Sequence, residues 1–119
     1  MRIITKFVAL LFSVYGIATA QTVFTEAGGV VAKFWLTITK DEQLRRFRER
    51  QKTPFKNFKI TTEDWRNRKK WDGYQRAVCD MIERTSNEAA PWFIIPANDK
   101  YYARIEVLRT LCERVAAAL

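Results

Sequence analysis

A short apolar run between two prolines constrains the fold of this chain more than any other stretch. Residues 92–95 are Trp-Phe-Ile-Ile, with Pro91 before them and Pro96 after them. A run of this length bounded by prolines fits a strand covered on both faces better than a helix. The polar residues 85–87 favour side-chain bonds to the local backbone, which predicts that a preceding helix ends there.

The polar residues after this strand predict a turn into a C-terminal helix. Either Asn98 or Asp99 can cap that helix, and its first turn then carries Lys100 and Arg104. A strand, a tight polar turn and a cationic helix start often form an anion site at the carboxyl edge of a parallel sheet. The alternative for the two cations is an exposed ion pair with a neighbouring acid.

A second strand and a helix are predicted upstream. Residues 30–38 are almost continuously apolar, as in a parallel strand covered on both faces. Thr39 with Glu42 forms a capping-box pattern, and the helix that follows directs Leu44 and Phe47 inward. Thr53-Pro54 ends this helix, and residues 55–60 then alternate aromatic and basic side chains between two predicted helices.

Two further helical patterns predict core faces. The first pattern combines aromatic and basic residues, as do proteins that stack nucleobases on aromatic rings. The helical spacing of its apolar residues nevertheless favours packing in the core over nucleic-acid binding. Its apolar positions are Trp71, Tyr74, Val78, Met81 and Ile82. In the C-terminal helix we expect a face that packs on the sheet, made of Tyr101 or Tyr102, Ile105, Leu108, Leu111, Cys112 and Val115.

Composition narrows the function. The 119 residues carry a net charge of +8, which favours an anionic partner without identifying it. The chain has no histidine, which excludes histidine-based triads, general bases and zinc ligands in this sequence. We expect Cys79 and Cys112, which lie within helical apolar patterns, to be buried free thiols.

Residues 1–20 resemble a secretory signal. Arg2 and Lys6 precede an apolar stretch at 7–17, and Ala18-Thr19-Ala20 is typical of a cleavage site after Ala20. The apolar run is too short to predict a stable membrane span. The chain then divides into this segment and a domain at 21–119.

Several blocks in the rest of the chain resemble the C-terminal part of the polyphosphate kinase 2 family, over about residues 23–119. The blocks occur in the family's order and at similar spacing, which is more specific than any single motif. They comprise Lys33-Phe34-Trp35-Leu36, Asp41-Glu42-Gln43-Leu44 with Arg46, Phe47 and Arg50, Lys56 with Lys59, Trp71 with Tyr74, and the segment from Thr85-Ser86 through Ala90-Pro91-Trp92 to Asn98-Asp99-Lys100 and Ala103-Arg104.

The resemblance implies an α/β, truncated P-loop-kinase-like fold that is mostly helical, with lid helices, two short parallel strands and a C-terminal helix. It implies polyphosphate and nucleotide as ligands, and Mg-dependent phosphoryl transfer between polyphosphate and a nucleoside mono- or diphosphate. It also implies a cytoplasmic protein, in conflict with the signal-like start. The phosphate-binding residues that it predicts are Lys33, Arg46, Arg50, Lys56, Lys59, Lys100 and Arg104. For Lys33, a snorkelling edge lysine is an equal alternative.

Two parts of that chemistry do not occur in these 119 residues. The family's G-x-D-x-x-G-K loop and its Asp-Arg-Ser block are both missing from the sequence. We therefore expect no kinase activity from this chain alone and no magnesium ligands in it. Two alternatives remain: an exported small basic polyanion-binding protein, and a subunit that completes its site with an N-terminal partner. Exposed sheet edges also make a homo-oligomer possible.

Overall fold

The computed structural model describes residues 24–119, so the secretory prediction for residues 1–20 lies outside it and stays a prediction. The elements in chain order are β1 (Lys33–Thr37), α1 (Lys40–Lys52), a 3₁₀ helix (Asn57–Lys59), α2 (Thr62–Lys69), α3 (Trp71–Thr85), β2 (Trp92–Pro96) and α4 (Lys100–Ala116). Both predicted strands and the predicted helices are present. The first strand is shorter than its apolar run.

The two strands form a parallel pair, which confirms the predicted α/β arrangement. Phe34 lies opposite Phe93 in the register, and their ring centroids are 5.6 Å apart. Parallel strands need a crossover connection, and here it contains α1, α2 and α3. The buried core of the described residues lies on one face of this pair, where Ile95, Ala97 and Ala103 pack together.

Thr39 caps helix α1 as predicted, but only half of the expected capping box forms. The Thr39 hydroxyl accepts a hydrogen bond from the Glu42 backbone N–H, at 3.2 Å. The Glu42 carboxylate does not return to the Thr39 N–H, because it binds arginines further along the helix. Asn98, from the turn after β2, accepts from the Thr39 N–H at 3.0 Å instead. A long-range contact therefore completes the cap and joins α1 to that turn.

Helices α1 and α2 pack against each other. Phe47 is buried as predicted and contacts Trp65 edge to face, with ring centroids 5.3 Å apart. Arg68 donates to the Lys40 carbonyl and to the Gln43 side chain. Helix α3 contains no fully buried residue, so its predicted core stripe is at most partly covered in the described part of the chain.

The prediction for the C-terminal helix was wrong about which face meets the sheet. Ala103 is buried and Val107 packs against the core, whereas the larger residues predicted for the inner face are exposed. Small side chains let α4 lie close to the two strands, and this close approach determines the inner face. The prediction that Cys79 and Cys112 are buried was also wrong, because both thiols are free and exposed. Within residues 24–119, none of the helices combines the length and the apolar character needed to cross a bilayer.

Candidate functional site

Arg46 connects the carboxyl edge of the sheet to helix α1. Its guanidinium donates to the backbone carbonyls of Ala97 at 2.7 Å and of Asn98 at 3.0 Å. The side chain is buried, which is unusual for arginine unless its donors are satisfied. The site prediction placed Arg46 on a phosphate, but the structure shows these donors bound to protein acceptors. Arg46 therefore positions the turn that leads into α4.

Glu42 fixes the orientation of Arg46. Its carboxylate accepts from the Arg45 guanidinium through two bonds of 2.7 Å, and from Arg46 Nε at 2.7 Å. The hydrogen bonds from Arg45 and then from Arg46 lower the pKa of the Glu42 carboxyl from its ordinary 4.5 to about 2. The same contact raises the pKa of the Arg45 guanidinium. Glu42 thus stays ionised and holds Arg46 toward the turn.

The other predicted cations are more accessible than Arg46. Arg50 lies one helical turn beyond Arg46, and α1 contacts the 3₁₀ helix that is flanked by Lys56 and ends at Lys59. Lys59 is exposed, whereas Arg50 and Lys56 are half-buried. The ammonium of Lys56 lies over the Phe55 ring, 5.3 Å from its centroid. These contacts leave the cations at a surface where an anion can reach them.

Lys100 and Arg104 lie in the first turns of α4, beside the turn that Arg46 holds. Both are exposed, and the Arg104 guanidinium lies 5.6 Å from the Tyr101 ring centroid. The Asp99 carboxylate caps this helix and accepts from the backbone N–H groups of Tyr101 and Tyr102. Because Asp99 already occupies these amides, a phosphate here has to be bound by the cationic side chains.

Lys33 lies at the opposite end of the sheet from these residues. It begins β1, and its ammonium donates to the Thr85 carbonyl and lies 5.3 Å from the centroid of the Trp92 ring. Burial lowers the pKa of Lys33. Ligands of open α/β sheets bind at the carboxyl ends of the strands, and Lys33 is at an amino end. Its surroundings therefore favour the structural alternative over phosphate binding.

Two residues of this site were not identified as such from the sequence. Glu42 was assigned to a cap, although its position four residues before Arg46 is a known signal for a helical ion pair. Asn98 was considered only as a cap for α4, and it caps α1 across the sheet edge instead. The ion pair between Glu42 and Arg46 could have been predicted from the local sequence. The second depends on the pairing of the two strands.

The described residues do not fit a magnesium site. Across residues 24–119, no group of three or more carboxylate, cysteine or histidine side chains is arranged to hold a metal ion. The acids near the site are already engaged, Glu42 by two arginines and Asp99 by backbone amides.

Comparison with known proteins identifies the family. Residues 13–119 match the profile of the family described as Polyphosphate kinase 2, so the match begins ahead of the sequence blocks and includes part of the signal-like segment. A polyphosphate:AMP phosphotransferase of Pseudomonas syringae pv. tomato is 61% identical over 94 residues, which cover 79% of this chain and 19% of that protein. The chain thus spans about a fifth of the length of this protein, and about a fifth of a polyphosphate:AMP phosphotransferase of Pseudomonas aeruginosa that it also matches.

Two solved structures support the same family assignment. The structure of a candidate polyphosphate kinase 2 from Pseudomonas aeruginosa PA01 matches with a TM-score of 0.84 and 48% identity, covering 98% of this chain and 26% of that one. Polyphosphate kinase 2 from Arthrobacter aurescens TC1 matches with a TM-score of 0.83 and 36% identity, over 92% of this chain and 39% of that one. The fold, the cationic carboxyl edge and the matching profile together show that this chain belongs to the polyphosphate kinase 2 family.

Proposed function

We propose that this chain is the lid and sheet-edge part of a polyphosphate:nucleotide phosphotransferase, and that it binds polyphosphate without transferring phosphoryl groups alone. One observation carries the proposal. Arg46 ties the cationic helix α1 to the turn that precedes Lys100. This bond joins two cationic segments that are more than fifty residues apart in sequence.

The accessible cations would bind the phosphates. Arg50 and Arg104 offer forked donors that suit two phosphate oxygens at once, whereas Lys56, Lys59 and Lys100 act as point charges. In phosphoryl transfer, such cations neutralise charge that develops on the transferring group. Arg46 would act indirectly by positioning the turn, and Lys33 would take no part.

Inactivity follows from the parts that these 119 residues lack. Phosphoryl transfer in this fold needs a glycine-rich loop to cradle the phosphates and a carboxylate for magnesium. The test incubates the full chain with polyphosphate, magnesium and AMP or ADP, with a complete polyphosphate:AMP phosphotransferase as the positive control. We expect no product above a blank without protein. Turnover by this chain would overturn the proposal of inactivity.

Polyphosphate binding is tested by replacing one arginine of the site and one outside it. We expect Arg50→Ala to weaken polyphosphate binding by about three- to tenfold, because a charge-assisted contact to phosphate is lost. Arg48→Ala, on the same helix and with the same change of charge, is the matched control. Arg48 is exposed and outside the predicted set, so we expect its replacement to have less than about a twofold effect.

The same two variants separate the proposal from a general polyanion-binding protein. Binding of single-stranded DNA would be measured beside polyphosphate at equal salt, since affinities for polyanions depend strongly on ionic strength. A loss confined to polyphosphate in Arg50→Ala supports the proposal. Equal losses for both ligands favour the small basic polyanion-binding protein. Activity restored by adding an N-terminal segment with the glycine-rich loop would favour a subunit that is completed by a partner.

A further inference from the structure

The segment around the 3₁₀ helix carries two large aromatic side chains that the proposed function does not use. Residues 55–60 are Phe-Lys-Asn-Phe-Lys-Ile, and the proposal assigns only the two lysines to phosphate. Phe55 is 72% exposed and Phe58 is 71% exposed. Large apolar side chains that are exposed together are typical of a binding surface, whereas single ones are ordinary.

The core beside this segment is formed by other residues. Phe47 on α1 is buried and contacts Trp65 of α2 edge to face. Ile60, in the same segment as the two exposed rings, is half-buried. Burying a phenylalanine side chain is strongly favourable, yet both Phe55 and Phe58 lie outside this core. Their exposure therefore indicates a role other than packing between α1 and α2.

The backbone places the two rings on one side of the segment and the two lysines on the next. The Lys56 N–H donates to the Thr53 carbonyl at 2.8 Å, and the Lys59 N–H donates to the Lys56 carbonyl at 3.0 Å. In turns of this 3₁₀ type, side chains three residues apart lie above one another, so Phe58 follows Phe55 on the same side. These positions are about 6 Å apart along the axis, which leaves room for one flat ring on or between the two phenylalanines.

Each of the two rings has an ammonium group beside it. The Lys56 Nζ lies 5.3 Å from the Phe55 ring centroid, and the Lys59 Nζ lies 5.6 Å from the Phe58 ring centroid. A ligand that matches this arrangement has a flat π surface joined to an anionic group, because the first can stack on a ring while the second binds an ammonium. Nucleoside phosphates have both parts, whereas polyphosphate has only the anionic one.

We infer that Phe55 and Phe58 stack on the base of the nucleotide, while Lys56 and Lys59 contact its phosphates. The inference rests on the proposed function, which it extends from the phosphates to the base. Two rings provide a surface for one base, whereas proteins that bind single-stranded nucleic acid stack successive bases along a groove. Stacking uses the π surface that every base has, so this contact adds affinity without selecting one base.

Calorimetry with ADP and with pyrophosphate tests the role of the rings in the full chain. The double variant Phe55→Leu/Phe58→Leu keeps apolar side chains but removes both π surfaces. We expect its affinity for ADP to fall by at least about fivefold, because base stacking is lost. Its affinity for pyrophosphate, which has the same two phosphates and no base, should change by less than about twofold.

Phe24→Leu is the matched control for these measurements. Phe24 is also exposed, at 54%, but it lies ahead of β1 and outside the segment. The same substitution there should leave the affinity for ADP within about twofold of the unchanged chain. Far-UV circular dichroism checks that each variant is folded.

Proton NMR of the bound nucleotide tests stacking directly. The adenine H2 and H8 resonances of ADP should move upfield when the unchanged chain is added, because the ring currents of the phenylalanines shield protons stacked over them. The double variant should abolish most of this shift. No shift with the unchanged chain, or a shift and an affinity for ADP that persist in the double variant, would overturn the inference.

Two further results separate this inference from its alternatives. If stacking fails while Arg50→Ala still weakens polyphosphate binding, the inference is overturned and the proposed function stands. If the double variant loses more affinity for a single-stranded oligonucleotide than for ADP, the rings bind a nucleic-acid strand, and the assignment to a nucleotide is overturned.

Discussion

The two ends of the small sheet are both held by a cation bonded to backbone carbonyls, yet only one end has the features of a binding site. At the amino end, Lys33 contacts the Thr85 carbonyl and the Trp92 ring. At the carboxyl end, Arg46 contacts the carbonyls of Ala97 and Asn98. The other predicted phosphate-binding cations lie on α1, on the 3₁₀ helix that contacts it, and at the start of α4, which follows the second contact. We therefore expect ligand binding at the carboxyl end and not at Lys33, although Lys33 and Arg46 both lie in family blocks.

The difference follows from how each cation is neutralised. Arg46 has a carboxylate partner, Glu42, as well as carbonyl acceptors, and a buried guanidinium needs this many acceptors. Lys33 is only partly buried, and the contacts described for it are to a carbonyl and to an aromatic face. Removing each cation should therefore affect stability to a different degree.

The largest effect is expected at Arg46. Arg46→Met keeps an apolar stem but removes the donors to Ala97 and Asn98, and should lower the free energy of unfolding by about 2–3 kcal/mol. Urea unfolding measures this change. Arg48→Met on the same helix is the control, and its effect should stay within about 0.5 kcal/mol. An equal decrease in the free energy of unfolding in the two variants would show that the carbonyl contacts of Arg46 contribute little to stability.

A smaller effect is expected from acid at the same end of the sheet. The pKa of Glu42 is about 2 in the folded chain, against an ordinary 4.5. The unfolded chain therefore binds more protons between these two values, so the contribution of Glu42 to stability is present above pH 4.5 and is lost as pH falls toward 2. The measurement is the urea midpoint as a function of pH.

Glu42→Gln is the control for this pH dependence. Glutamine keeps the size of the side chain and one acceptor oxygen but cannot titrate. The urea midpoint of the variant should therefore depend less steeply on pH between pH 4.5 and 2. An unchanged slope would mean that other carboxylates carry the acid sensitivity, and that Glu42 is not the group that links α1 to pH.

Much of the fold was accessible from local sequence signals. Pro91 precedes β2 as predicted, whereas Pro96 is the last residue of the strand. Thr39 caps α1 as predicted, Asp99 is the one of the two predicted candidates that caps α4, and the two apolar runs pair in parallel. These signals act within a few residues, where backbone sterics and capping bonds decide the conformation. The family blocks then indicated the wider architecture.

The errors concern contacts across the molecule. The inner face of α4 was assigned to large residues such as Leu108, but Ala103 meets the sheet because the helix approaches the strands closely. Helical periodicity detects an apolar face without showing what covers it. The role of Arg46 likewise depends on carbonyls about fifty residues away.

The smallest effect is expected at Lys33, and it tests the comparison between the two ends directly. Lys33→Met removes the bond to the Thr85 carbonyl but also removes the cost of desolvating an ammonium, whose pKa burial lowers. These two effects offset each other, so the free energy of unfolding should change by less than about 1 kcal/mol. Polyphosphate binding should also stay within about twofold, since Lys33 lies at the amino end of β1. Unfolding and binding would be measured beside Arg46→Met and Arg50→Ala. A loss of polyphosphate affinity as large as that of Arg50→Ala would restore Lys33 to the phosphate site, and both ends of the sheet would then have to contact the ligand.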